Sequence, residues 1–499
     1  MSDILLATSF FLKNDVKQVE KMRPYAPLGT LFVAASLRNL GYSVAVFDAM
    51  LSDGEQEFKA CLEKGQPRIV ALYEDQFNFL NKMCLTHSRD AAFRMSEAAR
   101  EAGATVLAAG SAVSDDPGPY LEHGVDYALI GEADETLSEL VEILTGRSQR
   151  SPKSVPGLAM RDPGSQNTMY RTERRLPQRT ADAFPMPAWD LFEAARYRKS
   201  WIDAHGYFSV NMAMSRGCTF RCNWCAKPIW GQHYTTRSPA RVAEELAYLK
   251  RVVRPDHIWF ADDIFGLQPK WVAEFAREVE ARDASIPFMI QSRVDLMTDK
   301  AVAGLSRAGC NEIWLGVESG SQKILDAMDK GTKVSDIPIA RERLRQANMR
   351  TGFFLQFGYP GETYEDIMCT VRLVCQALPD DIGVSVSYPL QGTKFYKRVK
   401  EELGAKEHWD DSNDLAMMFQ GPYRTPFYRR LHKLLHKDLE LRRNANGHDE
   451  ADVREQLNQL GAEWREWAES EPYYRNPDAT VFSRPHRPAA AATVRSISY

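Results

Sequence analysis

No stretch of this chain approaches eighteen consecutive apolar residues, so nothing in it is long enough to cross a bilayer as a helix. Its start, Met1 to Ala7, has no basic segment ahead of a long apolar run, so no secretory leader is expected and a cytoplasmic location is. An excess of one charge is missing too. With 63 basic and 67 acidic residues the net charge is −4, which leaves no electrostatic footprint for nucleic acid. Cysteine is scarce: eight in 499 residues cannot form a disulfide framework, and such usage fits a reducing compartment. What remains is an ordinary globular composition, long enough for roughly two or three domains.

Three of the eight cysteines are clustered. Cys218, Cys222 and Cys225 fall within Cys218-Thr219-Phe220-Arg221-Cys222-Asn223-Trp224-Cys225. Thiolates at this spacing can face a single soft-metal centre. A structural zinc site wants four protein ligands. The next cysteine, Cys310, is eighty-five residues on, and His233 could close a Cys3His site on paper. A 4Fe–4S cluster normally takes four thiolates, and with three of them one iron stays open to a small-molecule ligand. Spacing alone leaves both readings open.

Ahead of the cluster, strand-like apolar runs alternate with helical spacing. Ile4–Ala7, Val44–Asp48, Ile69–Tyr73, Thr105–Gly110 and Tyr127–Gly131 read as strands, with Leu28–Leu40, Ala91–Ala102 and Glu135–Leu144 among the helices between them. That alternation predicts a Rossmann-like, doubly wound parallel sheet over 1–145, with a ligand edge at Thr8–Phe11, Asp48, Tyr73–Gln76 and Gly110–Ala112. Residues 146–208 are rich in Ser, Pro, Gln and Arg and read as a linker with a small hairpin around Val155–Met160. Phe208–Met214 should be the first strand of a second unit, with the cysteines in the loop at its carboxyl end. Further strands are expected at His257–Asp263, Pro287–Arg293, Glu312–Gly320, Thr351–Phe357 and Ser385–Tyr388, each ending in polar residues, which gives a partial (βα)6 barrel over 209–395. Residues 396–499 read as helical, with His432 and His436 on a solvated face and a fraying end.

The three cysteines, Gly316-Val317-Glu318-Ser319-Gly320 and Gly358-Tyr359-Pro360-Gly361-Glu362-Thr363 resemble the radical S-adenosylmethionine superfamily. Pro27-Leu28-Gly29, Gly41-Tyr42-Ser43-Val44 and Val125 to Glu132 resemble the cobalamin-binding domain that precedes many members, the subgroup of class B methyltransferases and anaerobic cyclases. The resemblance implies a 4Fe–4S cluster on Cys218, Cys222 and Cys225, with S-adenosylmethionine chelated to the open iron and Trp224 near the adenine. Arg293 would meet the methionine carboxylate, while Asp262, Asp263, Glu318 and Ser319 serve the ammonium and ribose side, with Gln356 and Gly358 beside the adenine. For Asp262, Asp263 and Arg293, strand-end ion pairs are the competing reading. Cobalamin is implied for the first domain, without a protein imidazole, because the Asp-x-His-x-x-Gly signature is absent; His87 and Cys84 after the third strand are weak candidates for contact. The implied activity is radical methylation of an unactivated carbon in a small-molecule substrate, fed by an electron donor such as flavodoxin or ferredoxin. The alternative is dehydration, epimerisation or ring closure, with the first domain vestigial or assisting.

Overall fold

The computed structural model describes residues 3–83, 85–162, 168–227, 229–404, 415–444 and 450–479. The first sheet runs β2 (Val44–Phe47), β1 (Ile4–Ala7), β3 (Ile69–Tyr73), β4 (Thr105–Ala109), β5 (Tyr127–Leu129), β6 (Leu158–Arg161), β7 (Met169–Arg171) in spatial order. β1 to β5 pair in parallel. Their continuous apolar runs are explained by burial on both faces. Ile4 and Leu6 point to the helices Leu28–Asn39 and Asp134–Leu144, whereas Leu5 and Ala7 point to Glu55–Gly65 and Thr86–Glu101. The hairpin expected after Gly146 forms, and it is part of this sheet: β6 pairs antiparallel with β5, and β7 with β6.

The second sheet is parallel throughout: β15 (Asp381–Val386), β14 (Arg350–Phe357), β13 (Cys310–Glu318), β12 (Phe288–Ser292), β11 (His257–Phe260), β8 (Ser209–Met212). Five longer helices, from Pro239–Val252 to Tyr364–Ala377, alternate with its strands. This is the half-barrel expected, with one strand displaced. The sixth strand starts at Asp381, not Ser385, and leaves the sheet before Tyr388. Its partner dictates this: Gly352 of β14 pairs with Asp381, and Phe357 with Val386.

The C-terminal helices Thr425–Asn444 and Glu450–Glu469 cover the β15 side. Leu431, Leu434, Leu435 and Leu439 are buried there. That stripe turns His432 and His436 to the boundary of the core. His436 Nδ1 lies 2.8 Å from the His432 carbonyl, and Nε2 lies 3.2 Å from the Ile382 carbonyl, so these histidines do not form a solvated face.

The two sheets are joined by buried polar contacts. Asn211 on β8 exchanges two hydrogen bonds with the backbone of Ala26, accepting at 2.6 Å and donating at 3.0 Å. Arg216 bridges to Glu132 and Asp134 past the end of β5, and its guanidinium lies 3.5 Å from the Phe184 ring centre. No helix among the described residues is long and apolar enough to cross a membrane.

Candidate active site

The cysteines sit in the head of an antiparallel ribbon. β9 (Ser215–Gly217) pairs with β10 (Tyr234–Thr236), Gly217 facing Tyr234. Gly217 has φ 78°, and a Cβ there would come 2.3 Å from the His233 carbonyl oxygen, so only glycine closes the ribbon. Asp262 ties the ribbon to the barrel: its Oδ1 accepts from the Met214 N–H at 3.1 Å and from the Ser215 N–H and hydroxyl at 2.5 Å each. Burial pushes Asp262 up to about 7 against these bonds. Asp262 therefore shapes the base of the loop.

Burial, the Asp263 carboxylate and the two neighbouring sulfurs push the Cys225 thiol up to about 12. Burial raises Cys218 as well. Among the described residues no group of three His, Cys, Asp or Glu side chains is disposed to hold a metal ion, and His233 is exposed. A 4Fe–4S cluster takes each thiolate on a different iron, so its ligands stand farther apart than those of one ion. Three half-buried cysteines within one eight-residue loop match that donor set, and a positive centre among them would offset the burial that raises Cys218 and Cys225.

Around the loop several buried polar atoms have no hydrogen-bond partner among the described residues: Arg293 Nη1, Gln356 Oε1, Trp224 Nε1 and Ser387 Oγ. Arg293, just beyond β12, lies 3.7 Å over the ring of Phe220, inside the cysteine loop. Its Nε and Nη2 hold Asp295 at 2.9 and 3.1 Å. One edge of the guanidinium is thus taken by a strand-end ion pair, while Nη1 on the other has no partner among the described residues. Unpartnered donors after β12 and β15 and an acceptor on β14 suit a zwitterionic nucleoside such as S-adenosylmethionine.

The remaining expected residues divide. Asp263 ion-pairs with Lys82, which comes from the first sheet's side and lies 5.7 Å from the Trp230 ring centre. Glu318, at φ 62°, pairs with buried Lys330 at 2.7 Å. Ser319 turns away toward Thr370, 3.3 Å off. Gly358, at φ 78°, donates its N–H to Glu362 Oε2 at 2.6 Å. Lys82, Lys330, Phe220 and Asn223 were not singled out from the sequence; Phe220 and Asn223 had the signal of lying between the cysteines. A cavity of about 710 Å³ is lined by Ile324, Ala327, Asp329, the Pro360–Thr363 part of the glycine motif, Tyr364 and Tyr423.

At the carboxyl edge of the first sheet, Glu74 Oε2, Asp75 Oδ2, Ser88 Oγ and Ser111 Oγ are also buried and unpartnered among the described residues. Gly110, at φ 151°, leaves room where a Cβ would press 2.9 Å from that of Glu74. Unfilled acceptors and hydroxyls on the loops after β3 and β4 fit the amide-bearing rim of a corrinoid. The His87 ring packs 5.7 Å from that of Phe10, and Cys84 lies outside the described residues.

Two stretches of the chain match known family models. Residues 23–141 match the B12 binding domain family model, and 212–374 match the radical SAM superfamily model. An uncharacterized methyltransferase of Pyrococcus horikoshii is 28% identical over 276 residues, covering 55% of this chain and 58% of that protein. The anaerobic magnesium-protoporphyrin IX monomethyl ester cyclase of Cereibacter sphaeroides is 26% identical over 287 residues, covering 56% and 45%. The chain thus spans about half the length of these curated relatives. The radical S-adenosylmethionine methyltransferase TsrM from Kitasatospora setae, solved with cobalamin and a [4Fe–4S] cluster, shares the fold at TM-score 0.65 and 18% identity, covering 82% of this chain and 76% of that one. Both family models are thus matched in order along one chain, a B12-binding region ahead of a radical SAM region.

Proposed function

We propose that this enzyme methylates an unactivated carbon of a small molecule by cobalamin-dependent radical chemistry. When bound, the 4Fe–4S cluster, S-adenosylmethionine and cobalamin supply an electron, a hydrogen-abstracting radical and a methyl group. The chain's task is to bind, orient and exclude water. Cys218, Cys222 and Cys225 would hold the cluster. The open edge of Arg293 would take the methionine carboxylate, with Gln356, Trp224 and Gly358 on the adenine side. The loops carrying Glu74 and Ser111 would hold the corrinoid, and the Arg216 and Lys82 contacts fix the two binding regions against each other.

The observation that carries the reading is Arg293, buried with Nη1 unpartnered and stacked on Phe220 of the cysteine loop. It sets a carboxylate-binding cation beside the thiols. The division we assign is 1–145 for cobalamin, 146–208 as connector, 209–395 for radical generation and 396–499 as cap and tail, in a cytoplasmic protein reduced by a flavodoxin- or ferredoxin-type donor. The methyltransferases among its relatives and structural neighbours favour methylation; the cyclase relative keeps ring closure as the lesser alternative. Anaerobic protein reconstituted with iron, sulfide and hydroxocobalamin, and supplied with S-adenosylmethionine and a low-potential reductant, should convert its substrate to a product one methylene heavier. A product of unchanged carbon count, formed with S-adenosylmethionine cleavage, would install the alternative.

A further inference from the structure

The centre of the cysteine loop is fastened by a residue that is not one of the cysteines. Asn223, between Cys222 and Trp224, is buried. Its Nδ2 donates to the Ala327 carbonyl at 2.7 Å and to Asp329 Oδ2 at 3.3 Å. Its Oδ1 stands 3.0 Å from the Tyr359 hydroxyl, which shares its proton with the Ala327 carbonyl at 2.9 Å. Its backbone N–H donates to the Met328 carbonyl, and its carbonyl accepts from the Phe395 N–H, both at 3.0 Å.

An asparagine that merely shapes a loop bonds its own backbone two residues on. Asn223 does not. Its side-chain bonds reach residues 104 to 136 positions away along the chain. Together with its backbone bonds they draw on three elements: the end of helix Gln322–Ala327 and the turn after it, the loop after β14, and, through the Asn223 carbonyl, the start of helix Lys394–Val399. The turn is itself bent to suit, with Asp329 at φ 52°. Both ends of the amide are matched, acceptors facing Nδ2 and a hydroxyl facing Oδ1, so the side chain has one orientation only. Tyr359 cannot drift either: its ring stacks on Phe395 at 5.3 Å.

We propose that Asn223, clamped by Tyr359 and the Ala327–Asp329 turn, is the positioning residue of the iron–sulfur cluster, holding Cys222 and Cys225 at the separation the cluster requires. The inference rests on the loop being a cluster site. It also reassigns Tyr359: within the glycine motif after β14, this ring serves the cluster loop.

The test uses the full reconstituted chain under anaerobic conditions, challenged with EDTA, with loss of the cluster's visible absorbance followed in time. Asn223→Ala should release iron about tenfold faster than wild type, as expected from losing hydrogen bonds of ordinary strength. Tyr359→Phe, which keeps the stacked ring, should release it severalfold faster with an unchanged melting temperature. In both, the electron paramagnetic resonance signal of the reduced cluster should broaden, which a loss of global stability alone would not produce. Should Asn223→Ala fail to fold, Tyr359→Phe decides. Wild-type release rates and an unaltered signal in the folded variants would overturn the proposal. A wild-type chain that binds no iron would instead sink the functional reading beneath it.

Discussion

Arg216 Nη1 stands 2.7 Å from Glu132 Oε1 and 3.0 Å from Asp134 Oδ2, with all three side chains buried. One guanidinium, two residues before Cys218, thus neutralises two carboxylates beyond the last parallel strand of the first sheet. Removing one partner of such a group strands the others in a dry interior. Arg216→Ala should therefore lower stability by about 3–5 kcal/mol. Urea denaturation monitored by circular dichroism reads this directly. Arg216→Met combined with Glu132→Gln and Asp134→Asn should recover most of the loss. A wild-type midpoint for Arg216→Ala would show that the clasp contributes nothing.

Arg293→Ala removes a cation that stacks on Phe220 of the cysteine loop and whose Nη1 has no partner among the described residues. A charge-assisted hydrogen bond is worth about 1.5–3 kcal/mol, so S-adenosylmethionine should bind at least about tenfold more weakly. Iron content should not change. Equilibrium binding to the reconstituted protein, with iron assayed on the same sample, separates the two; unchanged affinity would take Arg293 out of the site.

Replacing Cys218, Cys222 and Cys225 together by alanine should abolish a cluster that otherwise analyses at about four iron and four sulfide per chain. Stoichiometric zinc without iron in the wild-type protein would end the cluster reading.

Growth with hydroxocobalamin and anaerobic purification should give nearly one corrinoid per chain. Its cobalt(II) electron paramagnetic resonance spectrum should lack nitrogen superhyperfine splitting, because His87 packs on Phe10 and the sequence carries no histidine at the mutase signature position. Resolved splitting would contradict this.

Glu362 gives a pH signature. Burial pushes its carboxyl from 4.5 up to about 8, against the Gly358 N–H bond. The folded chain thus keeps a proton that the unfolded chain has lost. This contribution to stability is fully present below about 4.5 and is lost as pH rises through about 8. The amide of Glu362→Gln imitates the protonated acid, so across that window the variant should gain on wild type by at most about 1.4 kcal/mol per pH unit. Parallel stability profiles for the two proteins would show Glu362 to be ionised in the fold.

Much of this was legible in the sequence, for identifiable reasons. β1, β3 and β4 are buried on both faces, so Ile4–Ala7, Ile69–Tyr73 and Thr105–Ala109 announce themselves as apolar runs. The cysteine trio is local and needs no tertiary knowledge. β15 hid because Asp381, Gly383 and Ser385 break the apolar pattern on a strand whose position is fixed by pairing with β14. The partners of expected site residues hid for a different reason. Lys82 is 181 residues from Asp263, and nothing in either neighbourhood records the pairing. Asp262 and Glu318 could be placed at strand ends, but only the fold shows that one is consumed by Ser215 and the other by Lys330.

The bonds between Asn211 and Ala26 join positions 185 residues apart. A chain made from its N-terminus forms the first sheet well before Asn211 exists, and domains fold as units in the order of synthesis. Until β8 emerges, the Ala26 N–H lacks its Asn211 acceptor and its carbonyl keeps only the local bond from the Leu28 N–H, so the loop leading into helix Leu28–Asn39 lacks its register. Contacts of such sequence separation are paid for in loop-closure entropy before they return anything, which slows folding. The docking of the two sheets is thus set late in biogenesis, and a ribosome-stalled fragment ending before β8 should carry a formed first sheet whose Ala26 loop remains open to amide exchange.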